Sequence, residues 1–184
     1  MRVLMLSGGL DSCTMLAFTK YDLAISVDYG QPHLDEIEAA RYFADREGLP
    51  HEVVTVSFQC SPSTGILGGN DRTAHESVMP GRNSLLVAIA AMRGATVVAL
   101  GCNADDQDAY IDCRESVLSA VGSACGVRVE MPLVNHTKRQ ILRMGEVDPD
   151  LISKTISCYR GNPACGQCAA CIQRRDSHGG NGDD

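Results

Sequence analysis

The chain has 184 residues, of which 44% are hydrophobic and 21% are charged, a balance that fits one globular domain. Its formal net charge of −7 at pH 7 disfavours a protein whose main task is stable nucleic-acid binding, because such proteins present a basic face. No run reaches the roughly 18 apolar residues of a membrane helix and no signal peptide is recognisable, so we expect a cytoplasmic protein without a membrane partner.

Short apolar runs alternate with segments of helical periodicity along the chain. Strands are predicted at residues 3–6, 23–27, 51–56, 95–101 and 127–133. Helices are predicted at residues 11–20, 32–48, 83–94, 115–125 and 137–145, the last of them capped by Thr137. Strands that alternate with helices predict an α/β fold with a parallel sheet covered by helices on both faces.

Three polar segments follow predicted strands: SGGLDS at 7–12, DYGQPH at 28–33 and GCNADD at 101–106. Ligands bind beyond the carboxyl ends of parallel strands, so these segments should share one rim of the sheet. The first segment is a glycine-rich turn between a strand and a helix, where backbone N–H groups and the helix N-terminus favour phosphate. It lacks the spacing and the lysine of a Walker loop. The sequence therefore predicts a phosphate site of another kind.

The predicted domain organisation has three parts. Residues 1–157 form the α/β domain, and a long loop at 57–80 interrupts its rhythm. An active-site flap is favoured there over a plain insertion, because long loops in compact domains are usually functional or disordered. Residues 158–175 form a metal-binding segment, and the polar, glycine-rich residues 176–184 are predicted to be a disordered tail.

Four of the nine cysteines, in a C-x6-C-x2-C-x2-C pattern, are candidate metal ligands: Cys158, Cys165, Cys168 and Cys171. Four thiolates complete a tetrahedral zinc shell and leave no open position, so the pattern predicts a structural zinc site. The alternatives are an iron–sulfur cluster, which thiolates also hold, and disulfides, which a reducing compartment disfavours.

Several motifs in chain order carry a family resemblance: SGGLDSCTML, VDYGQPHLDEIEAA, MPGRNSLL, GCNADDQDAYIDCRESVL, PLVNHTKRQILRMG and SCYRGNPACGQCAACIQRR. The first resembles the PP-loop of the ATP pyrophosphatase superfamily, whose members share a Rossmann-like fold of the adenine nucleotide alpha hydrolase type. Within it, the motifs together make the chain similar to the 7-cyano-7-deazaguanine synthase (QueC or ExsB) family. The resemblance covers residues 1 to about 175.

The resemblance implies an ATP-dependent ligase that converts 7-carboxy-7-deazaguanine and ammonia to 7-cyano-7-deazaguanine, with ATP, magnesium and zinc as cofactors and a homodimer as the assembly. ATP would activate the carboxylate as an adenylate, and ammonia would displace AMP to give an amide. A second activation would remove the amide oxygen and leave the nitrile, a step towards queuosine in tRNA or related deazaguanines in DNA.

The resemblance also assigns residues to ATP. The loop segment comprises Leu6, Ser7, Gly8, Gly9, Leu10, Asp11, Ser12, Cys13, Thr14, Met15 and Leu16. Gly8 and Gly9 would let the backbone approach the pyrophosphate, and the hydroxyls of Ser7, Ser12 and Thr14 would donate to its oxygens. Asp11 would cap the helix or position magnesium, with the cap favoured. The adenine or ribose would be bordered by Asp28, Tyr29, Gly30 and Gln31.

Residues expected to act in catalysis are Ser7, Asp11, Ser12, Arg82 and Lys138. Arg82 and Lys138 would neutralise phosphate or the substrate carboxylate as charge develops there. The alternative for Lys138 is a solvated helix lysine. Cys13 and Cys113 are expected to be buried packing residues rather than nucleophiles.

Residues expected to contact the substrate are His33, Glu36, Asn83, Asn103, Asp105, Tyr110 and Asp112. Asp112 would accept the N–H donors of the guanine-like base, and Tyr110 would stack on its ring. Asp105 or Asp106 is an alternative magnesium ligand, and a solvated acidic loop is the alternative for the segment around them. His33 and Glu36 would accept protons from ammonium, or else lie on the surface.

Three departures from the family pattern stand beside the match. GQPH replaces GQRH, NHTK replaces DLTK, and the chain is shorter between the third strand and PGRN. An enzyme that stops at the amide, or one that adenylates another carboxylate, is therefore an alternative. A PP-loop tRNA-modifying enzyme and a catalytically dead nucleotide- or zinc-binding module are the remaining alternatives.

Overall fold

The structure, a computed structural model, describes residues 1–30, 34–57, 79–145, 148–158 and 163–179. Its strands are β1 (Arg2–Met5), β2 (Leu23–Asp28), β3 (His51–Thr55), β4 (Val97–Ala99) and β5 (Arg128–Glu130). They form one sheet in the order β3-β2-β1-β4-β5, and every neighbouring pair is parallel. The predicted parallel α/β sheet is confirmed.

The helices are α1 (Leu10–Thr14), α2 (Asp35–Arg46), α3 (Arg82–Met92), α4 (Ala104–Ala109), α5 (Glu115–Cys125), α6 (Lys138–Gly145), α7 (Pro149–Ser153) and α8 (Ala169–Gly179). Three of these, α4, α7 and α8, are absent from the sequence-based prediction. The first predicted helix is shorter than expected, because α1 passes into a 3-10 turn at Met15–Ala17. Helix α8 reaches Gly179 and so includes four residues of the segment predicted as a disordered tail.

Two apolar layers cover the sheet, because alternate residues of a strand point to opposite faces. Val3 and Met5 of β1 pack with α3 and α5 on one face, whereas Leu4 packs with α1, α2 and α6 on the other. Phe43 of α2 is fully buried in the second layer. Burial on both faces explains why the strands read as nearly continuous apolar runs.

The start of α6 is fixed by the predicted cap. The N–H of Gln140 donates to Oγ1 of Thr137 at 3.3 Å, and the N–H of Thr137 donates to Oε1 of Gln140 at 2.8 Å. This reciprocal pair is a capping box. It sets the position of Lys138, the first residue of the helix.

Of the predicted flap at 57–80, residues 58–78 lie outside the described residues. Within the described ranges, no helix is long and apolar enough to cross a membrane.

Replacing Gly8 by alanine tests the tightest backbone contact of the fold. Gly8 has φ +84°, and an added Cβ would lie 1.9 Å from the carbonyl oxygen of Glu36 in α2. Gly48 has φ +62° but open space around it, so Gly48→Ala is the matched control. We expect Gly48→Ala to cost about 1–2 kcal/mol of unfolding free energy and Gly8→Ala about 4 kcal/mol or more. Equal losses in urea denaturation would contradict the contact.

Candidate active site

A cavity of about 280 Å³ opens beyond the carboxyl ends of the central strands, where the three polar segments were predicted to meet. It brings together thirteen of the residues predicted for ATP or substrate. These are Leu6, Ser7, Gly9, Leu10, Asp11, Ser12, Tyr29, Glu36, Arg82, Asn83, Tyr110, Asp112 and Lys138. Met79, at the end of the predicted flap, also lines it.

Other predicted residues do not line this cavity: Gly8, Cys13, Thr14, Met15, Leu16, Asp28, Gly30, Asn103 and Asp105. Gln31 and His33 lie outside the described residues, so their roles stay predictions. Asp28 accepts the N–H of Gly30 at 3.0 Å, a contact that shapes the turn after β2.

Residues 7–12, called the glycine loop below, are held by their own hydroxyls. Ser12 Oγ donates to the carbonyl oxygen of Gly9 at 3.1 Å and accepts the N–H of Ser7 at 3.2 Å. The hydroxyl oxygens of Ser7 and Ser12 lie 3.0 Å apart. The N–H of Gly9 donates to Ser7 Oγ at 3.3 Å. Of the three hydroxyl residues predicted to contact the pyrophosphate, Ser7 and Ser12 therefore line the cavity together.

Thr14 and Gly8 differ from their predicted places. The hydroxyl of Thr14 donates to the carbonyl oxygen of Leu10 at 2.8 Å, and the side chain is buried away from the cavity. A threonine in a helix can satisfy its hydroxyl on the preceding turn, and Thr14 does so. Gly8 faces the backbone of α2 rather than the cavity, so its lack of a Cβ serves packing.

Asp11 does not cap α1, which corrects the favoured prediction. Gly9 is the N-cap and no side chain caps this helix. Asp11 Oδ2 instead accepts Lys138 Nζ at 2.6 Å and Asn103 Nδ2 at 3.3 Å. The other oxygen, Oδ1, is buried and has no protein hydrogen-bond donor within the described residues. Lys138 is thus a buried, paired cavity residue and not a solvated helix lysine.

Asn103 is the N-cap of α4 and not a cavity residue. Its Oδ1 accepts the N–H of Asp106 at 3.0 Å, and Asp106 Oδ2 accepts the N–H of Asn103 at 3.3 Å. With its amide also bonded to Asp11, its polar atoms are used within the protein. Asn103 is therefore not a substrate contact as predicted, and its amide instead positions Asp11. Asp105 accepts the N–H of Lys138 at 2.8 Å and also lies outside the cavity.

Asp106, in contrast, lines the cavity. Burial, and next the charge of Asp11, raise its pKa from 3.8 to about 6. Two carboxylates and the ammonium of Lys138 thus share one corner of the site. An additional cation at this corner would relieve the repulsion between the carboxylates.

Arg82 begins α3 and also lines the cavity, near Tyr29, Asp112 and Glu36. Burial raises the pKa of Tyr29, and the hydrogen bond from Arg82 opposes that rise. Asp112 Oδ2 accepts the N–H of Asn83 at 3.2 Å. Asn83 holds this side of the cavity, because its Nδ2 also donates to the carbonyl oxygen of Asp112 at 3.1 Å.

Two cysteines near the cavity, Cys13 and Cys102, have thiols with raised pKa values. Cys13 and Cys113 are buried, as predicted, and burial raises the pKa of Cys13 to about 12. A hydrogen bond with Cys113 and burial raise the pKa of Cys102. Thiols with raised pKa values are poor nucleophiles at neutral pH. Cys102 and Cys113 line the cavity, whereas Cys13 packs in the apolar layer that contains Leu4 and Phe43.

Sequence analysis missed a set of lining residues from β2 and from the C-terminal part of the chain: Ser26, Ile156, Ser157, Ala170 and Gln173. Ser26 is buried and its hydroxyl donates to the carbonyl oxygen of Leu6 at 2.5 Å. Gln173 lies one helical turn after Ala170 on α8, on the helix that also carries Cys171. A helical reading of AACIQRR would have placed both residues on one face.

The four predicted metal ligands do converge. The sulfur atoms of Cys158, Cys165, Cys168 and Cys171 lie within 4.8 Å of one another. N–H groups of Gln167 and Cys168 point to Cys165 Sγ at 3.5 and 3.4 Å, and they lower the pKa of that thiol to about 6. Sulfur atoms around one tetrahedral ion would lie about 3.8 Å apart. The cluster can therefore hold a metal.

The sheet is parallel and has the glycine loop after its first strand. Cations and carboxylates line the cavity at its rim, and four cysteines cluster near the C-terminal end of the chain. Together these features are those of the PP-loop class of nucleotide-binding proteins. Solved structures share this fold. U34-tRNA thiolase NcsA from Methanococcus maripaludis, with its [4Fe-4S] cluster, matches with a TM-score of 0.56 and 22% identity over 96% of this chain and 63% of that one. NMN synthetase from Francisella tularensis matches with a TM-score of 0.54 and 16% identity over 99% and 78%.

The chain belongs to the QueC family, because the family model described as queuosine biosynthesis protein QueC matches residues 1–182. A 7-cyano-7-deazaguanine synthase from Caldicellulosiruptor bescii is 34% identical, over 94% of this chain and 89% of the relative. One from Anaeromyxobacter sp. is 36% identical over the same shares. One from Thermoplasma acidophilum is 32% identical, over 94% and 84%.

The raised pKa of Asp106 predicts a pH-dependent loss of stability. The folded chain holds this proton more tightly than the unfolded chain, since its pKa is about 6 rather than 3.8. The free energy of unfolding should therefore fall as pH rises from about 4 to about 6, and stay lowered above that. Asp106→Asn should remove this fall, a difference of up to about 3 kcal/mol.

Urea denaturation at pH about 4.5 and about 7, in metal-free buffer, measures this effect. Asp108→Asn, an exposed position on the same helix, is the control and should keep the wild-type pH dependence. An Asp106→Asn variant that also kept it would contradict the interpretation.

Proposed function

We propose that this protein is an ATP-dependent ligase that converts 7-carboxy-7-deazaguanine and ammonia to 7-cyano-7-deazaguanine. The observation that supports the proposal most directly is the convergence of Ser7, Ser12, Lys138 and Arg82 on one cavity in a chain of the QueC family. Hydroxyl donors and cations would face the phosphates, and the far side of the cavity would hold the acid to be activated.

The glycine loop would bind the triphosphate. Ser7 is exposed, and a small rotation of its hydroxyl or that of Ser12 would direct it to a phosphate oxygen. Lys138 Nζ, held by Asp11, would neutralise charge as pyrophosphate leaves. The substrate carboxylate oxygen would attack the α-phosphorus, and AMP would leave when ammonia attacks the acyl carbon. In the second round, the amide oxygen would be adenylated and lost with AMP.

Magnesium fits the carboxylate corner of the cavity. Asp11 Oδ1 has no protein donor within the described residues and Asp106 lines the same cavity, so oxygen ligands of the kind this ion prefers are available. When bound, the ion would neutralise phosphate charge next to Lys138. The role of the two carboxylates is to hold it.

The substrate side would be formed by residues around α3. Asp112 would accept N–H donors of the base, and Asn83 fixes the orientation of Asp112 through two hydrogen bonds. Tyr110 lines the cavity beside Asp112, where it would stack on the ring. Glu36 would accept a proton from ammonium as ammonia attacks. Arg82 would face the substrate carboxylate or the phosphates.

The cysteine cluster would hold a structural zinc ion. Four sulfur ligands leave no open position, and a thiol of pKa about 6 at Cys165 is ready to bind as thiolate. Zinc thiolates need reduced cysteines, which supports a cytoplasmic location. A homodimer stays part of the family-based proposal.

The decisive assay incubates the protein with ATP, magnesium, ammonium and 7-carboxy-7-deazaguanine and analyses the products by mass. Nitrile supports the full reaction, and amide without nitrile supports the truncated one. Release of AMP without either product points to another acid. Absence of AMP release would refute the enzyme claim.

Ser12→Ala should slow AMP release by about 100-fold, because the loop loses a donor to the phosphates. The melting temperature should stay within about 4 °C of wild type, since one hydroxyl is removed without a cavity. Ser123→Ala, an exposed helix serine that bonds to Ser119, is the control and should leave both quantities unchanged. Unfolding of Ser12→Ala would contradict the assigned role.

Cys165→Ser should lower the zinc content measured by elemental analysis and lower solubility with it, because zinc contributes on the order of 10 kcal/mol to such sites. Cys125→Ser, outside the cluster, should leave the zinc content unchanged. Metal content unaffected by Cys165→Ser would refute the assignment of Cys165 as a ligand. If the wild type instead contains iron and sulfide, the site holds an iron–sulfur cluster and not zinc.

A further inference from the structure

Arg174, a half-buried residue of α8, donates four hydrogen bonds to residues of and after α7. Its Nη1 donates to the carbonyl oxygen of Thr155 at 3.1 Å and to Ser157 Oγ at 3.0 Å. Its Nη2 donates to the carbonyl oxygen of Ile152 at 2.5 Å and to Thr155 Oγ1 at 3.2 Å. One guanidinium therefore fixes the end of α7 and the residues that follow it.

Residues 154–157, called the strap below, lie between α8 and the glycine loop. The N–H of Ile156 donates to the carbonyl oxygen of Gly8 at 3.1 Å. A Cβ at Gly9 would lie 3.5 Å from the carbonyl oxygen of Ile156, so the two backbones run in contact. Ile156 and Ser157 also line the cavity. The strap is therefore both a wall of the site and a backbone partner of the loop.

The next residue after the strap, Cys158, is the first of the four clustered cysteines, and Cys171 lies on α8 with Arg174. The strap is thus held at one end by the cluster and along its length by Arg174. Burial lowers the pKa of Arg174 and the charge of Asp11 opposes that shift, which agrees with a guanidinium close to the cavity.

We propose that Arg174 is a positioning residue that holds the strap against the glycine loop, and through it sets the affinity of the loop for the ATP phosphates. Arg174 is not among the residues lining the cavity, so it acts through the strap rather than by touching the nucleotide. The arrangement makes nucleotide binding depend on the helix that carries part of the metal cluster. This inference rests on the proposed use of ATP.

Binding of Mg-ATP to the zinc-loaded full chain, followed by calorimetry, tests it. Arg174→Met should raise the dissociation constant about 10- to 100-fold, because a loop displaced by a fraction of an ångström loses several phosphate contacts. The rate of AMP release at saturating ATP should change less than about threefold, since no reacting group is removed. Arg174→Lys keeps the charge and part of the bonds, and should restore affinity in part.

Arg175→Met is the matched control, since Arg175 is exposed and pairs with its neighbour Asp176. It should bind ATP like wild type. Zinc content should equal that of wild type in all three variants. Loss of zinc together with affinity in Arg174→Met would overturn the proposal, because the residue would then act on the cluster.

A double-mutant cycle with Ser157→Ala separates positioning from general weakening. The effects of Arg174→Lys and Ser157→Ala on the dissociation constant should be less than multiplicative, because both remove the same contact to the strap. Multiplicative effects would overturn the proposal, and the cycle serves even if Arg174→Met fails to fold. A wild-type protein that does not bind ATP would refute the proposed function, whereas unchanged affinity in the folded Arg174 variants would refute this inference alone.

Discussion

The backbone contact between Gly8 and helix α2 is the constraint on which the site depends. The loop after β1 passes so close to the carbonyl of Glu36 that no side chain fits at Gly8. The carbonyl of Gly8 is then free to accept the N–H of Ile156 from the opposite side. With its backbone fixed between two segments distant in sequence, the loop is held in the position that directs Ser7 and Ser12 into the cavity. Preorganisation of this kind lowers the cost of binding charged phosphates.

Each of the two cations that line the cavity has carboxylates near it. Lys138 is paired with Asp11, and Arg82 lies among Asp112 and Glu36. Each cation thus has carboxylates near it in a partly buried site, where a lone charge would be costly. Asp106 lies beside Lys138 and Asp11, and burial, and next the charge of Asp11, raise its pKa to about 6. Under the proposed function, two cations directed at the phosphates and an acidic corner that fits a metal would suit the release of pyrophosphate as an adenylate forms.

Much of this could be predicted from local sequence, and the exceptions have physical reasons. Alternating apolar runs and the polar segments after them predicted the sheet and its functional rim, because both depend on short-range pattern. The packing role of Gly8 depends on a helix that begins more than twenty residues later, so the motif alone suggested phosphate contact. The resemblance predicts that Thr14 contacts the pyrophosphate. The sequence does not show that its hydroxyl instead donates to the carbonyl oxygen of Leu10. The segment around Asn103 is predicted to contact the substrate, although Asn103 and Asp106 at capping-box spacing indicate the start of a helix.

The C-terminal segment shows why a closed metal site can matter for chemistry that it does not perform. Ala170 and Gln173 of α8 line the cavity, and the strap between α7 and Cys158 supports the glycine loop. These residues have few apolar contacts of their own, since the cluster itself is the buried centre of the segment. A segment of this size cannot bury enough apolar surface to order itself, so cross-linking by a metal is the economical way to fix one wall of the site. The metal would then order the cavity wall through the backbone that joins its ligands to the lining residues. This agrees with the position of Cys158 and Cys171, which directly follow the lining residues Ser157 and Ala170 in the chain.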